Sequence, residues 1–308
     1  MNFGIIGFGR VVESYAHAGI TAAGGRVVAL SVRDQERARA LAERYAVAGA
    51  YDSAEAVVAD PAVEAVLVAS PNPLHRAHVA LAARAGKHVL CEKPLALSSG
   101  DAQAMADYCA AAGVQLHVVR PWIFPPLAGA FRDALAEIGP LGRVEAVLEK
   151  RAEIDPERWR RQPGHGGDVL FELMPHCLDM VRAYVGEITH VAGASVRELR
   201  GWGLVDTVTA LLIAGEGVPC TVSVSYALSS WRGIRAWGAG GHAELRQEGA
   251  EWVVAVNGRD VRQAMNRYLP QVRHFIASVR GAEAPLADAA HGVRALEVIE
   301  EIRAASDA

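Results

Sequence analysis

The sequence predicts an α/β protein: an N-terminal doubly wound parallel sheet, then a C-terminal α+β domain with a largely antiparallel open sheet. Three observations carry this. Short apolar runs alternate with Ala-rich, helix-like segments over residues 1–120, as a parallel sheet with right-handed crossovers requires. Beyond Arg120-Pro121, strand-like runs follow one another without intervening helices, which favours antiparallel or mixed pairing. The length of 308 residues is great for one core and suits two domains, with the boundary placed between 120 and 121.

Element by element, the apolar run Phe3-Gly4-Ile5-Ile6 reads as a buried strand that ends in Gly7-Phe8-Gly9, followed by a helix over 10–23 stopped by Gly24-Gly25. A strand over 26–32 and a helix over 36–45 come next, then a short helix over 51–60 halted before Pro61. Residues 65–69 are continuously apolar, with β-branched Val66 and Val68, as a strand covered on both faces should be. Ser70-Pro71-Asn72-Pro73 is a loop, 75–85 a helix ended by Gly86, 88–91 a strand broken by Glu92-Lys93-Pro94. A helix over 99–112 and a strand over 115–119 complete the alternation. The second half reads as helix 127–138, strand 143–153, a helical segment 168–185, strands at 194–202, 207–213, 220–228, 234–237 and 252–256, and helices near 262–279 and 289–305.

Composition excludes several classes. A 51% hydrophobic and 21% charged chain with a formal charge of −4 is ordinary for a globular protein, and its scattered arginines form no basic stripe of the kind nucleic acid requires. Cys91, Cys109, Cys177 and Cys220 form no C-x-x-C pair, so they are expected as reduced, buried thiols rather than a zinc knuckle or redox dithiol. No leader-like segment and no run of about 18 apolar residues stands in the sequence, and the expected location is cytoplasmic, without a membrane partner.

The Gly7-Phe8-Gly9 turn lies between a strand and a helix, where two glycines let the backbone approach a pyrophosphate and the helix N-terminus favours its charge. Phe8, Arg10 and Val11 are expected beside it. The third small position of such a turn is occupied by Val12, which should hold the helix further from the strand. At the end of the second strand, where a carboxylate would hold ribose hydroxyls, the chain has Ser31, with Arg33 two residues on. A hydroxyl and a guanidinium suit a 2′-phosphate, so NADP(H) is expected over NAD(H). The competing reading has Asp34 serving NAD(H).

The stretch from Ser70-Pro71-Asn72 through His75, followed by Gly86-Lys87-His88-Val89 and Glu92-Lys93-Pro94, resembles the Gfo/Idh/MocA family of nicotinamide-dependent oxidoreductases, and the resemblance runs from residue 1 to about 120. It implies a Rossmann domain at 1–120 that binds NAD(P), and a substrate-binding and oligomerisation domain at 121–308. It further implies that Lys93 contacts both nicotinamide ribose and substrate, that Glu92, Ser70, Pro71, Asn72 and His75 lie on the cofactor side, and that a cis bond can precede Pro94. His78 and His88 match ordinary scaffold positions. Independently of any family, Lys93 stands just past the C-terminal end of a buried strand, where open α/β sheets bind ligands.

A second cluster runs Gly166-Gly167-Asp168 to Glu172, His176 and Asp179. On one helix these last three fall at i, i+4 and i+7 and share a face. The family pattern is similar, with Asp168, Glu172 and Met174 standing here in place of glycine, aspartate and glycine, while His176 and Asp179 match. The expected chemistry is reversible hydride transfer to or from a carbinol or carbonyl carbon of a sugar, cyclitol or related small molecule. His176 is the general acid–base, Lys93 polarises the oxygen and Glu172 tunes His176. Arg120, Trp122, Trp159 and Asp179, with Glu153, Arg158 and Arg160 nearby, are expected at the substrate. His176 and Glu172 resemble half of a zinc site, but no third ligand stands at a characteristic spacing, so no metal is expected. A redox-neutral, cofactor-recycling glycoside-cleaving enzyme and a non-catalytic NADP(H)-binding sensor remain open alternatives, and a dimer or tetramer through the C-terminal sheet is expected.

Overall fold

The computed structural model describes residues 1–154, 159–162, 164–229, 231–264, 266 and 268–306. The chain divides into two units, one comprising 1–119 with 266–294, the other 120–265 with 295–308.

The first unit opens with β1 (Asn2–Ile6), a helix that contains a π-helical turn (Val12–Ala16) and continues as α1 (His17–Ala22), and β2 (Arg26–Ser31). There follow α2 (Gln35–Tyr45), β3 (Gly49–Tyr51), α3 (Ala54–Ala59), β4 (Ala65–Val68), α4 (His75–Arg84), β5 (His88–Cys91), α5 (Ser99–Ala111) and β6 (Leu116–Val118). The six strands form one parallel sheet in the order β3-β2-β1-β4-β5-β6. Strand order reverses between β1 and β4, so the crevice for a ligand opens at their C-terminal ends. Phe3, Ile5, Leu30, Leu67 and Leu90 fill one core.

The second unit carries α6 (Ala128–Ile138), β7 (Leu141–Glu149), α7 (Val169–Glu172), α8 (Met174–Tyr184), β8 (Ile188–Arg197), β9 (Thr207–Ala214), β10 (Val218–Ser225), β11 (Arg232–Gly238), β12 (Gly241–Glu248), β13 (Glu251–Val256) and β14 (Arg259–Ala264). Its eight strands run β14-β13-β12-β11-β7-β10-β9-β8, and every pairing is antiparallel except β10 with β7. Two helices end the chain, α9 (Leu269–Val279) and α10 (Ala289–Ser306). From α9, Val272, Phe275 and Ile276 join the core around Phe3 and Ile5 in the first unit.

Several expected elements are redrawn. Tyr51 ends β3 instead of opening a helix, which begins at Ala54 after Ser53. The helical segment 168–185 is broken at Leu173, because Pro175 lacks the N–H needed inside a helix and instead occupies the first turn of α8. The proposed start of a helix at 262 falls in β14, and α9 begins at Leu269. All four cysteines are buried and free. Among the described residues no helix is long and apolar enough to cross a membrane.

Candidate functional site

In the first unit the β1 turn is shaped by close approach. Gly7 has φ +90°, and a Cβ there would lie 2.6 Å from the backbone nitrogen of Ser70. Its N–H donates to the Ser31 carbonyl at 3.0 Å, and Gly9 N–H donates to the Gly7 carbonyl at 3.0 Å. Three strand ends, β1, β2 and β4, are thereby drawn together around one turn. Phe8 is wholly buried, its ring 5.1 Å from that of Tyr45, so its side chain serves the core. Arg10 is exposed and Val11 half-buried. Val12 is buried where the π-helical turn begins, a wider turn than an α-helical one.

Ser31 ends β2 buried, and Arg33 is exposed beyond it. Asp34 is committed to α2 as its N-cap: Oδ1 accepts from the backbone N–H groups of Glu36 and Arg37 at 2.9 and 3.0 Å. Arg37, passed over in the sequence, donates from Nη2 to the Phe8 carbonyl at 3.3 Å and pairs with Glu13 at 3.7 Å. A second guanidinium thus borders the glycine turn. Its signal was its place in the first turn of α2, one helical turn past the Asp34 cap.

The loops after β4 and β5 are tied to each other. His75 is fully buried, its Nε2 2.9 Å from the Ser70 carbonyl and its Nδ1 2.9 Å from the Pro94 carbonyl. Burial lowers its pKa, opposed by the Ser70, Pro94 and Leu95 carbonyls. The expectation that His75 contacts the cofactor is corrected here: both ring nitrogens are occupied by backbone, and no part of the side chain is accessible. Ser70 Oγ and His78 Nδ1 are hydrogen-bonded at 2.8 Å, Asn72 is buried and Pro71 half-buried. The Lys93–Pro94 bond is cis. Glu92 accepts at Oε2 from Lys93 N–H at 3.2 Å and at Oε1 from the hydroxyl of Tyr268, while the Lys93 side chain is half-buried.

In the second unit, Asp168 caps α7 through Phe171 N–H at 3.2 Å and pairs with Arg303 at 3.1 Å. Burial raises its pKa and Arg303 opposes the rise. A Cβ on Gly167 would fall 1.8 Å from the Arg160 carbonyl, so glycine is what lets this strand of chain pass the Trp159–Arg161 turn. From that turn, Arg160 Nε reaches Glu172 Oε1 at 3.1 Å while its guanidinium covers the Trp159 ring at 4.4 Å. His176 is half-buried in the first turn of α8, its ring 6.5 Å from that of Trp122, which packs edge-on against Trp252 at 4.8 Å.

Two further expectations are corrected. Arg120 and Asp179 are 2% and 0% exposed and form an ion pair with each other, so neither presents an atom to a substrate; they fix α8, and with it His176, from within. Losing one partner of such a pair typically costs about 3–5 kcal/mol. Glu172, His176 and Asp179 also do not share one helix face, since the break at Leu173 separates the first from the other two. Glu153 pairs with Arg200, and Arg158 lies outside the described residues. Among the described residues no three His, Cys, Asp or Glu side chains group as a metal site.

Comparison with known proteins agrees on the architecture. The family model described as an oxidoreductase family with an NAD-binding Rossmann fold matches residues 1–119, and that of the GFO/IDH/MocA C-terminal domain matches 132–244. An uncharacterized oxidoreductase of Rhizobium meliloti is 31% identical over 77% of this chain and 72% of its own. D-xylose 1-dehydrogenase (NADP(+)) 2 of Haloferax volcanii is 28% identical over 98% of this chain and 96% of its own. Among solved structures, the aldose-aldose oxidoreductase of Caulobacter crescentus superposes with a TM-score of 0.89 over 100% of this chain and 97% of its own, at 24% identity.

Proposed function

The chain belongs to the GFO/IDH/MocA family of NAD(P)-dependent dehydrogenases and reductases, and from that premise we propose that it is an NADP(H)-dependent oxidoreductase acting on a carbinol or carbonyl carbon of a sugar, cyclitol or related small polar molecule. The cradle at Gly7, which a Cβ would fill, fits a dinucleotide. When bound, NADP(H) supplies or accepts hydride at nicotinamide C4. Gly7, Gly9 and the backbone of Phe8, Arg10 and Val11 hold the pyrophosphate, and the loops at Ser70, Pro71 and Asn72 and at Glu92 line the nicotinamide side. Lys93 donates to the substrate oxygen and stabilises its developing negative charge. His176 takes the hydroxyl proton in the oxidative direction and returns it in the reductive one. Glu172, paired with Arg160, and the ring of Trp159 bind the rest of the substrate, while the buried Trp122 backs the His176 ring. The kinship with a D-xylose dehydrogenase supports a sugar.

The observation that carries this reading is the placement of Lys93 at the C-terminal end of β5 in the same unit as the glycine cradle. The 2′-phosphate is assigned to Ser31, Arg33 and Arg37, because Asp34 is already occupied as a helix cap. Fluorescence titration is expected to show NADPH binding more tightly than NADH. Arg33→Ala should weaken NADPH about tenfold, the scale of one charge-assisted contact, and leave NADH unchanged. Tighter binding of NADH by the unaltered protein would remove the assignment. Sugars and keto-sugars are then screened with the tighter cofactor, and a panel in which nothing is turned over counts against the reaction itself.

A homodimer or tetramer through the outward face of the second sheet, where Leu211 of β9 is 44% exposed, completes the proposal; a monomeric mass in solution would exclude it.

A further inference from the structure

We infer that Tyr268 is a positioning residue for hydride transfer: its hydroxyl fixes Glu92, and Glu92 fixes the backbone of Lys93. The inference rests on the assignment of Lys93 given above.

Tyr268 arrives from the far end of the sequence, where the chain rejoins the first unit at Asn266. Asn266 anchors this return, accepting from Tyr268 N–H at 2.8 Å and donating to the Tyr15 carbonyl at 3.3 Å. The Tyr268 ring then stacks on that of Tyr15, 5° from parallel with centroids 6.3 Å apart. Gly19 of α1 leaves room for it, since a Cβ there would stand 2.6 Å from Tyr268 Cβ. Ring and backbone are thus fixed before the hydroxyl is considered.

That hydroxyl donates to Glu92 Oε1, and the other carboxylate oxygen accepts from the N–H of Lys93. One carboxylate therefore links a tyrosine 176 positions away to the backbone of the adjacent lysine. Two residues on, the Pro94 carbonyl meets the buried His75 ring. The turn is held at Glu92 and at Pro94, and Lys93 stands between the two restraints.

A phenylalanine at 268 would fill the same space and stack on Tyr15 equally well, so packing does not account for the hydroxyl. A hydrogen bond to an ionised carboxylate is roughly twice as strong as a neutral one. Catalytic groups tolerate little displacement, with a shift of about 1 Å costing as much as 10²-fold in rate. A hydroxyl whose main work is to orient the lysine turn should therefore show itself in turnover rather than in stability.

Tyr268→Phe is compared with Glu92→Gln, the double variant and Lys93→Met, using the full-length protein, NADPH and a substrate found in the screen. Tyr268→Phe is expected to lower kcat about tenfold, with the NADPH Kd and the thermal midpoint unchanged, and to cause no further loss in the Glu92→Gln background. Wild-type turnover by Tyr268→Phe would overturn the inference. So would a loss that tracks a fall in thermal midpoint, or losses that simply add in the double variant. If Lys93→Met is inactive while Tyr268→Phe is not, this inference alone fails. Full turnover by Lys93→Met removes the site assignment and the inference with it.

Discussion

Replacing His176 with alanine is expected to lower kcat by about 10²–10⁴-fold, the usual contribution of a general acid–base, and to leave the Kd of NADPH within about two-fold. The hydroxyl proton must leave as hydride leaves the same carbon, and an imidazole exchanges protons near neutral pH without assistance. His176 is suited to this by place as well as by type. It stands in the first turn of α8, half-buried beside Trp122, and α8 is anchored by the buried Arg120–Asp179 pair one turn further on. A rigid mount of that kind keeps a base in register with its substrate. His176→Gln keeps a hydrogen-bonding side chain but cannot carry the proton, and should be as slow as alanine. If either variant retains turnover within a few-fold of wild type, His176 is not the base.

Gly7→Ala should weaken NADPH binding more than tenfold and also cost stability of about 1–3 kcal/mol, the scale of a strained backbone position. The new methyl would meet Ser70 N at 2.6 Å, Ser70 Cα at 2.7 Å and Ala69 C at 2.8 Å. All three are backbone atoms, so no side-chain rotation relieves the clash and the ends of β1 and β4 must separate. A φ of +90° adds its own penalty for any residue with a Cβ. Gly9→Ala is the informative contrast, because nothing lies within 4 Å of a Cβ there. It should leave the thermal midpoint unchanged and weaken NADPH only by intruding on the pyrophosphate. Wild-type affinity in Gly7→Ala would mean that the cofactor does not use this turn.

What the sequence disclosed, and what it hid, follows from how far apart the interacting residues lie. The β-α alternation of the first 119 residues was readable because its strands are continuous apolar runs covered on both faces, as at Ala65–Val68. Strand β3 escaped because Gly-Ala-Tyr is too short to show a period. In the second unit β14 is exposed at every position, leaving no apolar signal. In β12 the buried Ala243 and Leu245 alternate with Glu244 and Arg246, which pair with each other. The glycine turn and the Lys93 turn were legible as contiguous strings. Arg120 and Asp179, 59 positions apart, neutralise each other inside the fold, and no local pattern could distinguish that from a pair of substrate contacts. The same holds for Tyr268 and Glu92, whose pairing depends on the chain returning to its first unit.

That return also bears on how the protein is made. Residues 1–119 emerge from the ribosome before the second sheet, yet Val272, Phe275 and Ile276, which complete the core around Phe3 and Ile5, are translated only after it. The nascent first unit must wait with an apolar face uncovered while β7 to β14 are synthesised, a window in which a chaperone or an early-folding neighbour would matter most. Tyr268 is translated in that same late segment. By this order the Glu92-Lys93-Pro94 turn receives its final restraint only after the second sheet has been synthesised, and a chain cut short before Tyr268 would carry the glycine cradle without it.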